Sequence, residues 1–184
     1  SFYARGMGKA RENTMDFRLT EQQRELQEAA RVFAHKELPD LAREMEVKDF
    51  SVPDAMVRRY GEMGFLGVNL PEQYGGLGLG HLEALLVLEQ FAQISNAVAF
   101  PVFEALVGPV RTVDRFGSDA LKERIIPQVV RGEATVAVSM SEPDAGTALT
   151  DLSTRASEDG DHYILDGSKR WTSGAGHARY YIVY

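Results

Sequence analysis

The sequence predicts an α+β fold made of two domains in series, an all-α domain over residues 15–132 and a β-domain over residues 133–184. Three observations predict it. Apolar residues at helical spacing, bracketed by start and stop signals, fill the chain as far as Gly132. After Glu133 the texture changes to short β-prone runs between turn signals. Helices come first and strands afterwards, which points away from a βαβ alternation.

The elements follow in order. Thr20 and Gln23 form a capping box, each side chain satisfying a free backbone donor of the other residue. Behind it Leu26, Ala29, Ala30, Phe33 and Glu37 recur at helical spacing, and Pro39 stops or kinks that helix. A second helix is expected from near Pro53 to Met63, ending at Gly64. Gly64 to Gly80 reads as irregular. His81 to Ile94 is apolar nearly all round, which predicts a central helix buried on several sides. One more helix is expected over Phe103 to Phe116, and Ser118 caps another from Asp119 to about Ile126, before Pro127.

Strands are expected within Ala134 to Met140, Leu152 to Ala156, Tyr163 to Leu165, Lys169 to Ser173 and Tyr180 to Tyr184. Asp166-Gly167 carries the signature of a type I′ hairpin turn, whose two central residues need positive φ. The closing run, Tyr180 to Tyr184, is aromatic and uncharged. A natural domain rarely ends on such an edge, so the β-domain is expected to be interrupted.

Composition bounds the function. Hydrophobic residues make up 44% and charged residues 26%, a globular balance. No apolar run is long enough to span a bilayer. The net charge is -7 and no basic patch is visible, so no nucleic-acid partner is expected. The absence of cysteine excludes disulfides, a thiol nucleophile and a Cys-containing zinc site. His35, His81, His162 and His177 are scattered without ligand spacing, so no metal is expected. Ser1 to Thr14 is basic without an apolar core and reads as a leader or tag, not as a secretory signal.

Three clusters remain. Gly75 to Gly80 is glycine-rich, but its spacing is wrong for a dinucleotide fingerprint and no strand precedes it, so it reads as a tight connection. Ser141-Glu142-Pro143-Asp144-Ala145-Gly146-Thr147 follows a strand, and its backbone N–H groups can converge on an anion or on carbonyl oxygens. An ordinary turn is the alternative, and spacing alone favours it. Lys169 to Gly176 contains the sole tryptophan, Trp171, followed by the hydroxyls of Thr172 and Ser173. An indole beside hydroxyls suits a flat heteroaromatic ring; a core tryptophan at a strand end is the alternative.

These residues together resemble the acyl-CoA dehydrogenases. The likeness runs from Met15-Asp16-Phe17 and Leu19-Thr20-Glu21-Gln22, through Gly64-Phe65-Leu66-Gly67 and Leu70-Pro71-Glu72-Gln73-Tyr74-Gly75-Gly76, to Phe116-Gly117-Ser118, Ile126-Pro127 and Gly132-Glu133. It continues through Ser141 to Thr147 and Gly167-Ser168-Lys169-Arg170-Trp171. Each match is weak alone, and all of them in register are specific.

The resemblance implies a helical domain, a β-barrel-like domain and a C-terminal four-helix bundle, with FAD as cofactor. This chain would hold the first and an incomplete second, the bundle being expected but absent. Val138 to Thr147 would lie along the flavin pyrimidine edge, with bonds from the backbone near Met140 and Ser141. Gly146 belongs to that turn, and Thr147 stands where the family usually has a serine that meets the flavin phosphates or the CoA pantetheine. Trp171 would pack on the ring, with Thr172 beside it and Ser173 near flavin N5; Ser173-Gly174-Ala175 replaces the commoner Thr-Asn-Gly.

The implied reaction is α,β-dehydrogenation of an acyl-CoA thioester, the Cα proton going to a Glu base and the Cβ hydride to flavin N5. That base belongs to the C-terminal domain, so no catalytic residue is expected in this chain and the segment alone should be inactive. Glu142 is read as part of the turn and Glu89 as a hydrogen-bonded structural group. Phe100, Pro101 and Phe103 would shorten the acyl pocket. The resemblance also implies an electron-transfer flavoprotein as acceptor, a homo-oligomer (tetramer or dimer), and a bacterial cytoplasmic or mitochondrial matrix location. Alternatives are an acyl-CoA oxidase or flavin monooxygenase on the same scaffold, or a non-catalytic binding or assembly module.

Overall fold

Helix α1, Glu21–Glu37, starts at the expected capping box: Gln23 N donates to Thr20 Oγ1 at 3.2 Å, and Thr20 N to Gln23 Oε1 at 2.9 Å. The computed structural model describes residues 17–184, so the expected leader or tag, Ser1 to Thr14, and the opening Met15-Asp16 lie outside the described residues. Pro39 does more than stop α1. It occupies the first turn of α2, Pro39–Lys48, where its fixed φ suits a helix start and its missing N–H costs nothing. The sequence reading missed this helix. Helix α3, Asp54–Glu62, follows Pro53, and a short 3-10 turn, Glu72–Tyr74, interrupts the irregular stretch after it.

Helix α4, His81–Ala92, packs between α1 and the next helix, α5, Asn96–Leu106, which Ser95 caps by accepting Ala97 N at 3.2 Å. The expectation of burial on several sides holds for Ala84, Leu86, Val87 and Phe91 but not for Leu82 and Leu85, each about half exposed. The helix expected over 103–116 is two helices. α5 ends at Leu106, and α6 is Pro109–Phe116, because Pro109 cannot donate a helical bond and its ring obstructs the preceding turn. Conversely Pro127 does not end α7, Asp119–Val130. The helix continues past it, and the Gln128 side-chain amide donates to the Arg124 carbonyl nearby.

The core of the helical part is an aromatic cluster. Phe33, Tyr60, Phe65 and Phe91 meet at ring-centroid distances of 5.0 to 5.8 Å, and the buried Tyr60 hydroxyl donates to Val98 O at 3.2 Å. The chain leaves α7 through Gly132, at φ +68, where a Cβ would lie 2.3 Å from Val57 O. Glycine is required there on both counts.

Four strands follow: β1 Val136–Ser139, β2 Arg155–Asp159, β3 His162–Asp166 and β4 Tyr180–Val183. β1 and β4 pair in parallel, β2 and β3 pair antiparallel, and the two sheets do not close into a barrel. α5 and α6 pack on β1, whose Val136 joins the helical core.

Three expectations fail here. The hairpin turn lies at Gly160-Asp161, with Asp159 opposite His162, and not at Asp166-Gly167. The sequence holds two Asp-Gly pairs, and the one between the β-prone runs supplies the turn, through Gly160 at φ +65. β2 therefore starts three residues after Leu152. Lys169 to Ser173 forms no strand: Trp171 sits at φ +59, which breaks an extended run, and Arg170 N donates to Ser141 O instead of to a ladder. Among the described residues no helix is long and apolar enough to cross a membrane.

Candidate flavin and acyl site

Among the described residues one edge of β1 has no strand partner. Tyr180 N donates to Thr135 O and Tyr184 N to Ser139 O, so the odd-numbered residues of β1 face β4. By the alternation of the ladder, Val138 and Met140 direct their backbone groups to the other edge. That edge opens on a cavity of about 230 Å³, whose walls include Val138, Met140, Ser141, Trp171 and Ser173 on one side and Phe100, Phe103 and Glu104 of α5 on the other.

Trp171 is the outlier of the site. It is 85% exposed and its φ of +59 lies in the left-handed region, uncommon for a bulky residue. Its neighbours hold it there. Arg170 N donates to Ser141 O at 2.8 Å, and Thr172 Oγ1 donates to Ser139 Oγ at 3.1 Å. Backbone strain of this kind collects at functional sites. The indole is thus offered to solvent beside the β1 edge that does not face β4.

Glu142 locks the loops that carry these groups. One carboxylate oxygen accepts Ser153 N and Ser153 Oγ, both at 2.7 Å. The other accepts Thr154 N and Lys169 Nζ, both at 2.8 Å. Lys169 Nζ also donates to Met140 O at 3.0 Å, so one ammonium ties the turn, the β1 end and the approach to Trp171 together. The Lys169 ammonium, then the bonds from Thr154 and Ser153, hold the Glu142 carboxyl well below the usual carboxylate range.

Five expected site residues thus meet on one cavity: Val138, Met140, Ser141, Trp171 and Ser173. Thr172 stands behind them on Ser139. Gly146 and Thr147 do not line this cavity and lie on the exposed part of the turn, with open space around Gly146. Phe100 and Phe103 line the cavity with their rings 5.6 Å apart, whereas Pro101 faces a neighbouring cavity of about 250 Å³. Glu89 is exposed and accepts from Gln90 Nε2 at 3.2 Å. The histidines do not gather; among the described residues no cluster of three acidic or histidine side chains could hold a metal.

The sequence reading missed Lys169 as the partner of Glu142, and it missed Glu104. A signal for Glu104 was available, since it is the one charged residue between Ala97 and Gly108. It is buried, 7% exposed, and burial pushes its carboxyl up to about 8.

The flavin implied by the resemblance suits these groups. Its pyrimidine edge carries alternating N–H and C=O groups, as does the free edge of β1, and its flat ring suits an exposed indole.

Comparison with known proteins gives the following. A family model described as the acyl-CoA dehydrogenase N-terminal domain matches residues 20–133, and the acyl-CoA dehydrogenase middle domain matches residues 137–184. The chain is 35% identical over 172 residues to a glutaryl-CoA dehydrogenase of Desulfococcus multivorans, covering 92% of this chain and 44% of that protein. Among solved structures, a glutaryl-CoA dehydrogenase in complex with glutaryl-CoA superposes with a TM-score of 0.86 at 33% identity, covering 92% of this chain and 43% of that one. The FAD complex of PigA superposes with a TM-score of 0.83 at 28% identity, covering 92% and 44%. The chain therefore spans less than half the length of the relatives it matches.

Proposed function

Because this chain belongs to the acyl-CoA dehydrogenase family, we propose that it forms the helical wall and the flavin-contacting edge of an enzyme that dehydrogenates acyl-CoA thioesters with FAD. On this reading residues 15–132 are the helical domain and residues 133–184 belong to the flavin-binding β-domain. The observation that carries it is the meeting of Val138, Met140, Ser141, Trp171 and Ser173 on one cavity with a free strand edge.

Bound FAD supplies a hydride acceptor at N5 for the hydride leaving Cβ, while the Cα proton goes to a carboxylate base from outside these residues. The work of this chain is binding and orientation. Backbone groups of Val138, Met140 and Ser141 would hold the pyrimidine edge. Trp171 would cover the ring, the Ser173 hydroxyl would lie near N5, and Thr172, bonded to Ser139, would hold the segment between them in place. Gly146 and Thr147 would meet a phosphate or the CoA pantetheine from the exposed turn. The Glu142–Lys169 pair fixes the geometry in advance, so that binding does not have to order these loops. Phe100 and Phe103 would keep water from the acyl group. An electron-transfer flavoprotein as acceptor and a homo-oligomeric enzyme complete the proposal.

Without the part that carries the base, residues 1–184 alone should leave the flavin oxidised, so the test is anaerobic mixing of the FAD-loaded enzyme that contains both parts with a panel of acyl-CoA thioesters. Bleaching of the flavin band with formation of the 2-enoyl-CoA is expected for at least one chain length. An oxidised flavin after all of them would sink the reading.

A further inference from the structure

We infer that Glu104 is a specificity residue, and that the acyl group this site takes carries a hydroxyl which pairs with its side chain. The inference rests on the acyl-CoA reading above and deepens it. The chain is otherwise apolar from Ala97 to Gly108, and Val98, Ala99, Val102, Ala105 and Leu106 of α5 are buried along with Glu104. Glu104 and Phe100 form the partition between the cavity of about 230 Å³ and the neighbouring one of about 250 Å³. Among the described residues no hydrogen bond or ion pair reaches its carboxyl; burial is the one influence on it.

Buried polar groups are almost always satisfied, and an unpaired one is retained at a cost unless a ligand completes it. Glu104 borders open space on both sides and is not walled in by neighbours, so a ligand can reach it. In apolar surroundings it is held as the neutral acid at neutral pH, both a donor and an acceptor. A hydroxyl has the complementary pair. A cationic substituent fits less well, because Arg170 already lines the first cavity. Asp54 and His177 line the second cavity, and neither pairs with Glu104.

The test is calorimetric titration of the FAD-loaded protein with 3-thiahexanoyl-CoA and with its 5-hydroxy and 6-hydroxy counterparts. Sulphur replaces the carbon that would lose hydride, so binding is read without turnover. At least one hydroxylated analogue should bind about tenfold or more tightly than the plain one. Glu104→Ala should bring the two within about twofold, while Glu104→Gln, which keeps a donor and an acceptor, should retain a preference. Flavin content reports the fold of each variant. Equal binding of all analogues to the unmutated protein, or a preference that survives Glu104→Ala, overturns the inference and leaves the acyl-CoA reading standing. If no analogue binds, the acyl-CoA reading falls and takes this inference with it.

Discussion

Glu104 and Glu142 are both buried carboxyls, and their surroundings push them in opposite directions. Glu104 has an apolar setting and, among the described residues, no partner, so burial raises its folded-state pKa from 4.5 to about 8. The folded state then holds a proton that the unfolded chain releases, and stability falls as pH rises from about 4.5 to about 8. Glu104→Gln mimics the neutral acid. The variant should match the unmutated protein near pH 4.5 and exceed it increasingly up to pH 8, by a few kcal/mol at most, read from denaturant unfolding at each pH. Glu142 carries the opposite sign. Its lowered pKa contributes stability above the ordinary carboxylate value that is lost as pH falls. Glu142→Gln strands the buried Lys169 ammonium, so it should lower Tm at neutral pH, and the gap should close on acidification. A gap constant with pH would remove the ion pair from the account. Only part of this was legible in sequence. Glu142 stands in a recognisable motif, but its partner lies 27 residues away and nothing local names it.

At the scale of elements, local chemistry was legible where it acts through neighbours. The Thr20 capping box, the Ser118 cap and the switch from helices to strands after Glu133 are all present. Proline was the main source of error, because one residue type starts α2 and α6, is tolerated within α5 and α7, and shows which only through its surroundings. The hairpin was misplaced because two Asp-Gly pairs compete, and pairing of the flanking strands decides between them. The left-handed Trp171 was not legible at all, since a tertiary bond from Arg170 to Ser141 helps impose it. Gly132 gives a prediction at this scale. Any side chain there meets Val57 O and is strained at φ +68, so Gly132→Ala should lower Tm by several degrees, on the order of 1 to 3 kcal/mol. An unchanged Tm would mean that the α7 exit does not pass so closely under α3.

At the scale of the whole molecule, the described residues hold one large core among the helices; β1 enters it through Val136, and Tyr180 and Ile182 of β4 pack against it. That joins the site's two walls. α5 supplies Phe100, Phe103 and Glu104, and the β1 edge with the Trp171 loop supplies the other face. The order of the two parts was readable in the sequence. Their meeting at one cavity was not, because it depends on α5 and α6 packing against β1. The central claim is that this meeting place holds a flavin. The direct test is the visible spectrum of the purified protein, with the flavin released on denaturation identified and counted. The account predicts FAD at about one per chain, lost or much weakened in Trp171→Ala at unchanged helix content. A protein that takes up no flavin, even when supplied with FAD, would contradict it.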